Sequence, residues 1–316
     1  MQIREKTIDA PFDAYFGVFL TLGCSLNCEY CVQKISLPKQ PVARYPLVSG
    51  KVWVAALNAI AGRRKRKNFF ITKKKKISIT GGEPTLHPDF VYIINNLDRD
   101  WNITITSNFT SPFFEAEAQG LKQIKKRSKL KFNGSFHFLY TSVDKFIENT
   151  LKIKKAGLFV HTLFIVGHPD HIEEVRRYKK RLLEIHPRVK VQRFFGYYQG
   201  KLYPRQGEEY NIEYEQQDGI SNYKDYERGF SQGAPQDIYC RMNKVLFAPN
   251  GDIYNCHYKL YTGHKDKLGN LFEEDVHIVL PRDFFFCHDY GFCNPCDSES
   301  HSFKRLDAEE FNISKI

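Results

Sequence analysis

Between residues 15 and 196, short apolar runs alternate with stretches in which apolar residues recur every three or four positions. The runs rich in aromatic and β-branched residues predict strands at 15–22, 77–80, 102–108, 129–138, 158–167 and 189–196. Helical spacing predicts helices over 46–62, 89–97, 113–127, 142–157 and 171–185, and Gly157 is well placed to end the fourth. Six strands with five intervening helices imply parallel pairing through right-handed crossovers. The expected fold is α/β, a TIM-like barrel or a partial (β/α)6 barrel, in which ligand chemistry gathers where strands end and helices begin. After residue 196 the periodicity stops. Residues 197–239 are polar and rich in tyrosine (Tyr197, Tyr198, Tyr203, Tyr210, Tyr214, Tyr223, Tyr226), and read either as a solvated linker or as aromatic surface for a substrate. From residue 240 the chain becomes a small cysteine-rich module, in which "VLFAPNGDIYNC" predicts a hairpin turned at Asn250–Gly251. The expected division is a barrel over 1–196, a linker with substrate loops over 197–239, and the module over 240–316.

Composition adds three constraints. The 316 residues, 42% of them hydrophobic, can bury a sizeable core. The chain begins "MQIREKTIDAPFDAYF", charged early and without the apolar segment of a secretory signal, and no apolar run reaches the roughly 18 residues of a membrane span. A cytoplasmic location with no membrane partner is therefore expected, where eight cysteines read as metal ligands rather than disulfides. The net charge of +11 is local: residues 63–67, 73–76 and 122–131 hold fifteen basic residues and no acid, and the remainder carries 32 basic against 36 acidic residues. These runs fall between a helix and the next strand, which puts them on the barrel face opposite the strand ends.

The chemistry concentrates in "CSLNCEYC", where Cys24, Cys28 and Cys31 follow the first strand. A closed metal site wants four protein ligands, and three imply a position left open. Zinc fingers pair their ligands as two separated knuckles, so this loop is a poor zinc cage. A second feature stands at the end of the second strand, "ITGGEPTLHP", with Gly81, Gly82, Glu83 and Pro84. Glycines let backbone approach a ligand closely, and strand-end carbonyls can accept from an ammonium group.

Together the cysteine loop, with Tyr30 before its last cysteine, and the GGEP segment resemble the radical S-adenosylmethionine (radical SAM) enzymes over roughly residues 15–196. The resemblance implies a [4Fe–4S] cluster held by Cys24, Cys28 and Cys31, whose open iron takes the amino and carboxylate groups of S-adenosylmethionine. One electron from the cluster then cleaves this cofactor to methionine and a 5′-deoxyadenosyl radical that takes hydrogen from a substrate. It further implies cofactor contacts from Tyr30, Gly81, Gly82, Glu83 and Pro84, from Ser107 and Asn108 at the third strand's end, from Ser135 on the fourth, and from Val166 ending the fifth. Relatives often carry Ser-x-Asp on the fourth strand, whereas this chain has Ser135, Phe136, His137. His137 is thus a candidate catalytic or cofactor contact, or a core histidine. His168, beside Pro169, reads as a turn residue.

The C-terminal module supplies Cys240, Cys256, Cys287, Cys293 and Cys296. The arrangement resembles the auxiliary-cluster extensions called SPASM and Twitch, without the full SPASM cysteine run. This implies a second [4Fe–4S] cluster on Cys240, Cys256, Cys293 and Cys296, with Cys287 spare or competing; structural zinc is the rival occupant. Such a cluster would accept or relay an electron. Three function classes follow: a radical SAM enzyme acting on a small molecule or peptide, with an external reductant such as flavodoxin or ferredoxin; the same chemistry on RNA, using the basic surface; and a non-catalytic metal or redox scaffold.

Overall fold

Strand alternation explains how the barrel is layered. In the third strand Ile103 and Ile105 are buried while Thr104 and Thr106 are half-buried, and in the fourth Leu130, Phe132 and Phe136 alternate with Lys131, Asn133 and Ser135. The apolar set faces the helices and the polar set faces the sheet's other side. The structure, a computed structural model, describes residues 6–34, 42–61, 63–67, 70–115, 119–125, 128–194, 196–198, 201–203, 236–280, 283–298 and 301–305.

The six expected strands form as β1 (Tyr15–Phe19), β2 (Lys76–Thr80), β3 (Asn102–Ser107), β4 (Leu130–Phe136), β5 (Phe159–Gly167) and β6 (Val189–Arg193). They pair in chain order, all parallel. Between them run α1 (Gly50–Asn58), α2 (Phe90–Asn96), α3 (Gln119–Gln123), α4 (Val143–Lys155) and α5 (Ile172–Ile185). The best-formed is α4: the Ser142 hydroxyl accepts from Lys145 N at 3.2 Å, three lysines sit in its last turn, and Phe146, Asn149, Thr150 and Ile153 face the core.

Two helices are shorter than their periodicity predicts. After α1 the chain turns to pair with the N-terminal segment: Lys6 N donates to Ala59 O at 2.8 Å and Ala61 N to Lys6 O at 3.0 Å. Sheet-like bonds thereby replace the last helical turn. The helix predicted over 113–127 is interrupted, because Pro112 opens a tight turn over Pro112–Phe114 and α3 begins only at Gln119. The Phe113 ring then packs where a side chain at residue 120 would stand, which Gly120 permits. Residues 116–118 and 126–127 of the predicted helix lie outside the described residues.

The basic run before β2 becomes an antiparallel hairpin, Arg63–Lys67 with Phe70–Lys74, in which Arg63 stands opposite Lys74 and Arg64 opposite Lys73. Of the tyrosine-rich stretch, Gly196–Tyr198 and Lys201–Tyr203 form a second small hairpin. Tyr210, Tyr214, Tyr223 and Tyr226 lie outside the described residues.

The C-terminal segment extends the barrel sheet. The predicted hairpin forms β7 (Lys244–Phe247) and β8 (Asp252–Tyr254), turned at Asn250–Gly251, and β9 (Gly269–Asn270) follows. β7 pairs in parallel with β1, matching Lys244 to Tyr15 and Phe247 to Val18. The result is one nine-stranded sheet, ordered β9-β8-β7-β1-β2-β3-β4-β5-β6. Beside it Gln236–Met242 is the centre of a three-stranded antiparallel sheet with Phe285–Tyr290 and His301–Arg305. A continuous apolar core joins barrel to extension, from Trp53, Trp101 and Phe132 to Val245, Phe247 and Leu271. No helix among the described residues is long and apolar enough to cross a membrane.

Candidate active site

The loop leaving β1 carries Cys24, exposed, Cys28, buried, and Cys31, half-buried. Its last turn is a short 3-10 helix, Val32–Lys34, fixed by Cys31 N to Cys28 O at 3.3 Å and Lys34 N to Cys31 O at 2.8 Å. The Lys34 ammonium donates to Cys28 O at 2.9 Å and Asn27 Oδ1 at 2.6 Å, drawing the middle of the loop onto its end. Burial, with the other two thiols adding to it, pushes the Cys28 thiol up to about 12, and burial also raises Cys24 and Cys31. Left to themselves these thiols stay protonated, and a metal bound there would have to displace those protons.

The GGEP segment holds this loop from below. Gly82 N donates to Thr21 O at 3.1 Å and Glu83 N to Gly23 O at 2.8 Å. A Cβ on Gly82 would collide with the Gly23 carbonyl, and one on Gly81, whose φ is +129°, would stand 2.5 Å from Thr21 O. The glycines therefore serve close approach to the cysteine loop's own backbone as well as an open strand end. Glu83 is fully buried. Its carboxylate accepts from Thr85 N and Oγ1, from Ser107 Oγ at 2.9 and 3.0 Å, and from Asn108 N at 2.9 Å. Burial pushes this carboxyl above its ordinary range, and those donors oppose the shift. Glu83 and Ser107 thus clamp the end of β2 to the end of β3.

A cavity of about 870 Å³ opens over these strand ends. Its walls include Cys24, Cys28, Cys31, Tyr30, Gly81, Gly82, Ser107, Asn108, Ser135, His137 and Val166. Glu83 and Pro84 are buried behind that wall. Asn108 aims its amide at the first cysteine: Nδ2 lies 3.5 Å from Cys24 Sγ and 3.1 Å from Ser25 Oγ. Tyr30 stacks on His137 at 5.9 Å and meets Tyr140 and Phe194 edge-on, with its hydroxyl 3.3 Å from His137 Nδ1. Burial holds the His137 imidazole down to about 4, so the ring is neutral near pH 7. His168 caps the 3-10 turn Pro169–His171, its Nδ1 accepting from Asp170 N at 3.2 Å.

The C-terminal cysteines divide. Cys240, Cys256, Cys287 and Cys293 pack in one cluster with Ile238, Met242 and Tyr290. Cys296 instead lines the cavity with the first three cysteines. The two regions are tied by Asn294, which donates from Nδ2 to Val32 O at 2.7 Å and accepts from Cys296 N at 3.0 Å. A buried polar knot braces the extension: the Asp297 carboxylate accepts from His257 N at 2.9 Å, Tyr258 N at 3.1 Å and His257 Nδ1 at 2.8 Å, with the Lys244 ammonium 3.5 Å away. Burial and Lys244 hold the imidazole below its ordinary value, while His257 and Lys244, against the effect of burial, hold the Asp297 carboxyl well below the usual carboxylate range.

A sequence profile of the Radical SAM superfamily matches residues 18–182, 165 of the 316 residues. The chain belongs to the radical SAM superfamily. This radical SAM chain is similar to human molybdenum cofactor biosynthesis protein 1, 26% identical over an aligned length of 177, with 52% of this chain and 26% of that protein covered. It is also similar to 7-carboxy-7-deazaguanine synthase of Clostridium acetobutylicum, 27% identical over 130 residues, 41% of this chain and 48% of that one. The match therefore spans about a quarter of the human relative and about half of the clostridial one. Among solved structures, Streptococcus suis SuiB bound to S-adenosylmethionine has a TM-score of 0.51 at 14% identity, covering 85% of this chain and 64% of that one. That likeness is one of fold.

Several cavity residues were not singled out from the sequence. Thr106, Phe164, Lys190 and Gln192 reach the wall through strand alternation, a signal the period-2 pattern carries. Cys296, expected from the sequence in the second cluster, lines the cavity instead, and Asn294, which no local pattern marks, pins its loop to the first cysteine loop.

Proposed function

We propose that this radical SAM protein uses Cys24, Cys28 and Cys31 to hold a [4Fe–4S] cluster with one open iron for S-adenosylmethionine, and acts on a peptide or small molecule. The observation that carries the reading is the meeting, in one cavity, of three cysteines from a single loop with the strand-end Gly81, Gly82, Asn108, Ser135 and Val166. When bound, the cluster and S-adenosylmethionine supply one-electron reductive cleavage to a 5′-deoxyadenosyl radical. The chain's part is positional. Gly81 and Gly82 present backbone to the cofactor's amino group, Asn108 and Ser135 offer hydrogen bonds, and Val166 offers apolar surface. Glu83 and Ser107 keep two strand ends in register, and Pro84 lies behind them. Tyr30 fixes neutral His137 against the pocket. The donor set fits iron–sulfur better than one zinc ion: among the described residues only His264, Asp266 and Asp289 bring three ligand atoms within 4.8 Å of one another. Tetrahedral zinc with ~2.3 Å bonds needs sulfurs closer than that. The same spacing favours a second cluster in the C-terminal module, serving as electron acceptor or relay, with flavodoxin or ferredoxin as the class of external donor.

Protein reconstituted without oxygen, then reduced and given S-adenosylmethionine, is expected to form 5′-deoxyadenosine. No cleavage at full cluster loading would refute the reading and restore the redox-scaffold alternative.

The basic hairpin supports a second reading, radical SAM chemistry on RNA. Its backbone register sets Arg63 opposite Lys74 and Arg64 opposite Lys73, so the sequence concentrates basic residues along two adjacent strands. RNA binding that weakens steeply with salt would favour this reading. No binding at low salt would remove it.

A further inference from the structure

The C-terminal module holds five cysteines, one more than a [4Fe–4S] cluster with all-cysteine ligation takes. Spacing in the chain favours the tight pair Cys293 and Cys296. The fold groups them differently. Cys240 lies on Gln236–Met242 and Cys287 on the neighbouring Phe285–Tyr290, with Cys240 opposite Phe285 and Ile238 opposite Cys287. Cys240 and Cys287 are therefore diagonal neighbours on one face of the pair. That face is the inner one: Ile238 and Cys240 are buried, whereas Tyr239 and Phe286 are exposed. Cys256, at the start of α6 (His257–Thr262), and Cys293, after the turn at Gly291, close on the same cluster.

Cys296 has a different setting. Its loop is pinned to the first cysteine loop by Asn294, and the Lys244 ammonium donates to its carbonyl. Its side chain borders the cavity shared by Cys24, Cys28 and Cys31. Buried Tyr261 lies within electrostatic reach of both Cys296 and Cys31.

We infer that Cys240, Cys256, Cys287 and Cys293 are the ligands of the second centre, and that Cys296 is a thiol on the wall of the cofactor cavity. The inference rests on the second-cluster reading above. It makes Cys287 a ligand and gives the cavity a thiol supplied by the C-terminal module.

The test compares the full-length variants C287A and C296A after anaerobic reconstitution, by iron and sulfide content and by electron paramagnetic resonance of the reduced protein. C287A is expected to fall from about eight iron per chain to about four, while C296A stays near eight. In reconstituted wild-type protein without S-adenosylmethionine, iodoacetamide followed by peptide mass spectrometry is expected to label Cys296 and spare Cys287. Retention of about eight iron by C287A, or loss of the second signal in C296A with unchanged circular dichroism, would overturn the assignment. So would protection of Cys296 with labelling of Cys287. Wild-type protein with about four iron would instead overturn the second-cluster reading itself, and this assignment with it.

Discussion

The cysteine loop after β1 gathers three thiols within eight residues and takes its shape from backbone bonds between near neighbours. The C-terminal cysteines Cys240, Cys256, Cys287 and Cys293 come from separate elements, and only tertiary packing makes them adjacent. The first is held by glycines that let another strand end press against it; the second by a buried charge knot around Asp297. A site left open for a ligand gains from a short loop on the rim of a cavity. On the proposed assignment, a site closed by four protein ligands gains from distant elements that cannot move apart without breaking the core.

The contrast can be broken most decisively at the first loop. Replacing Cys24, Cys28 or Cys31 by alanine is expected to abolish 5′-deoxyadenosine formation, and cleavage retained in any one variant would remove that residue from the ligand set. At the second centre, Cys293→Ala is expected to lose about half of the iron yet keep 5′-deoxyadenosine formation. Equal loss of cleavage would show that the two centres are not separable.

Asp297→Ala leaves buried Lys244 without its carboxylate and is expected to cost about 3–5 kcal/mol in urea unfolding. A loss under 1 kcal/mol would mean that the knot does not brace the extension. Gly82→Ala drives a methyl group into the Gly23 carbonyl and is expected to cost about 1–3 kcal/mol and to lower iron loading of the first loop. Normal loading would break the proposed support of one strand end by the other.

The smallest expected effect concerns pH. His137 titrates near 4 when folded, below the ordinary value of about 6.5. The unfolded chain therefore binds the proton first, so this contribution is complete above about pH 6.5 and is lost as pH falls toward about 4. His137→Phe is expected to flatten the stability profile in that window, and an unchanged slope would place the imidazole in water.

Much of this was legible in the chain. The six strands and their order follow from apolar runs separated by helical spacing, because parallel strands need crossovers and crossovers need helices. The GGEP segment was legible as a strand end, though not the bond from Glu83 to Ser107, since a carboxylate's partner in space has no fixed distance in sequence. The helix expected over 113–127 was overstated because hydrophobic period records which residues are apolar, not that Pro112 starts a turn against them.

What the sequence determined by itself is what short range controls: strand and helix periodicity, the three-cysteine loop, the hairpin at Asn250–Gly251. Tertiary structure decided the parallel union of β7 with β1, the entry of Cys296 into the cavity over the strand ends, and the grouping of Cys287 with Cys240. The physical reason is that pairing between distant strands is chosen by burial of shared apolar faces, a property of the assembled sheet that no single stretch of chain contains.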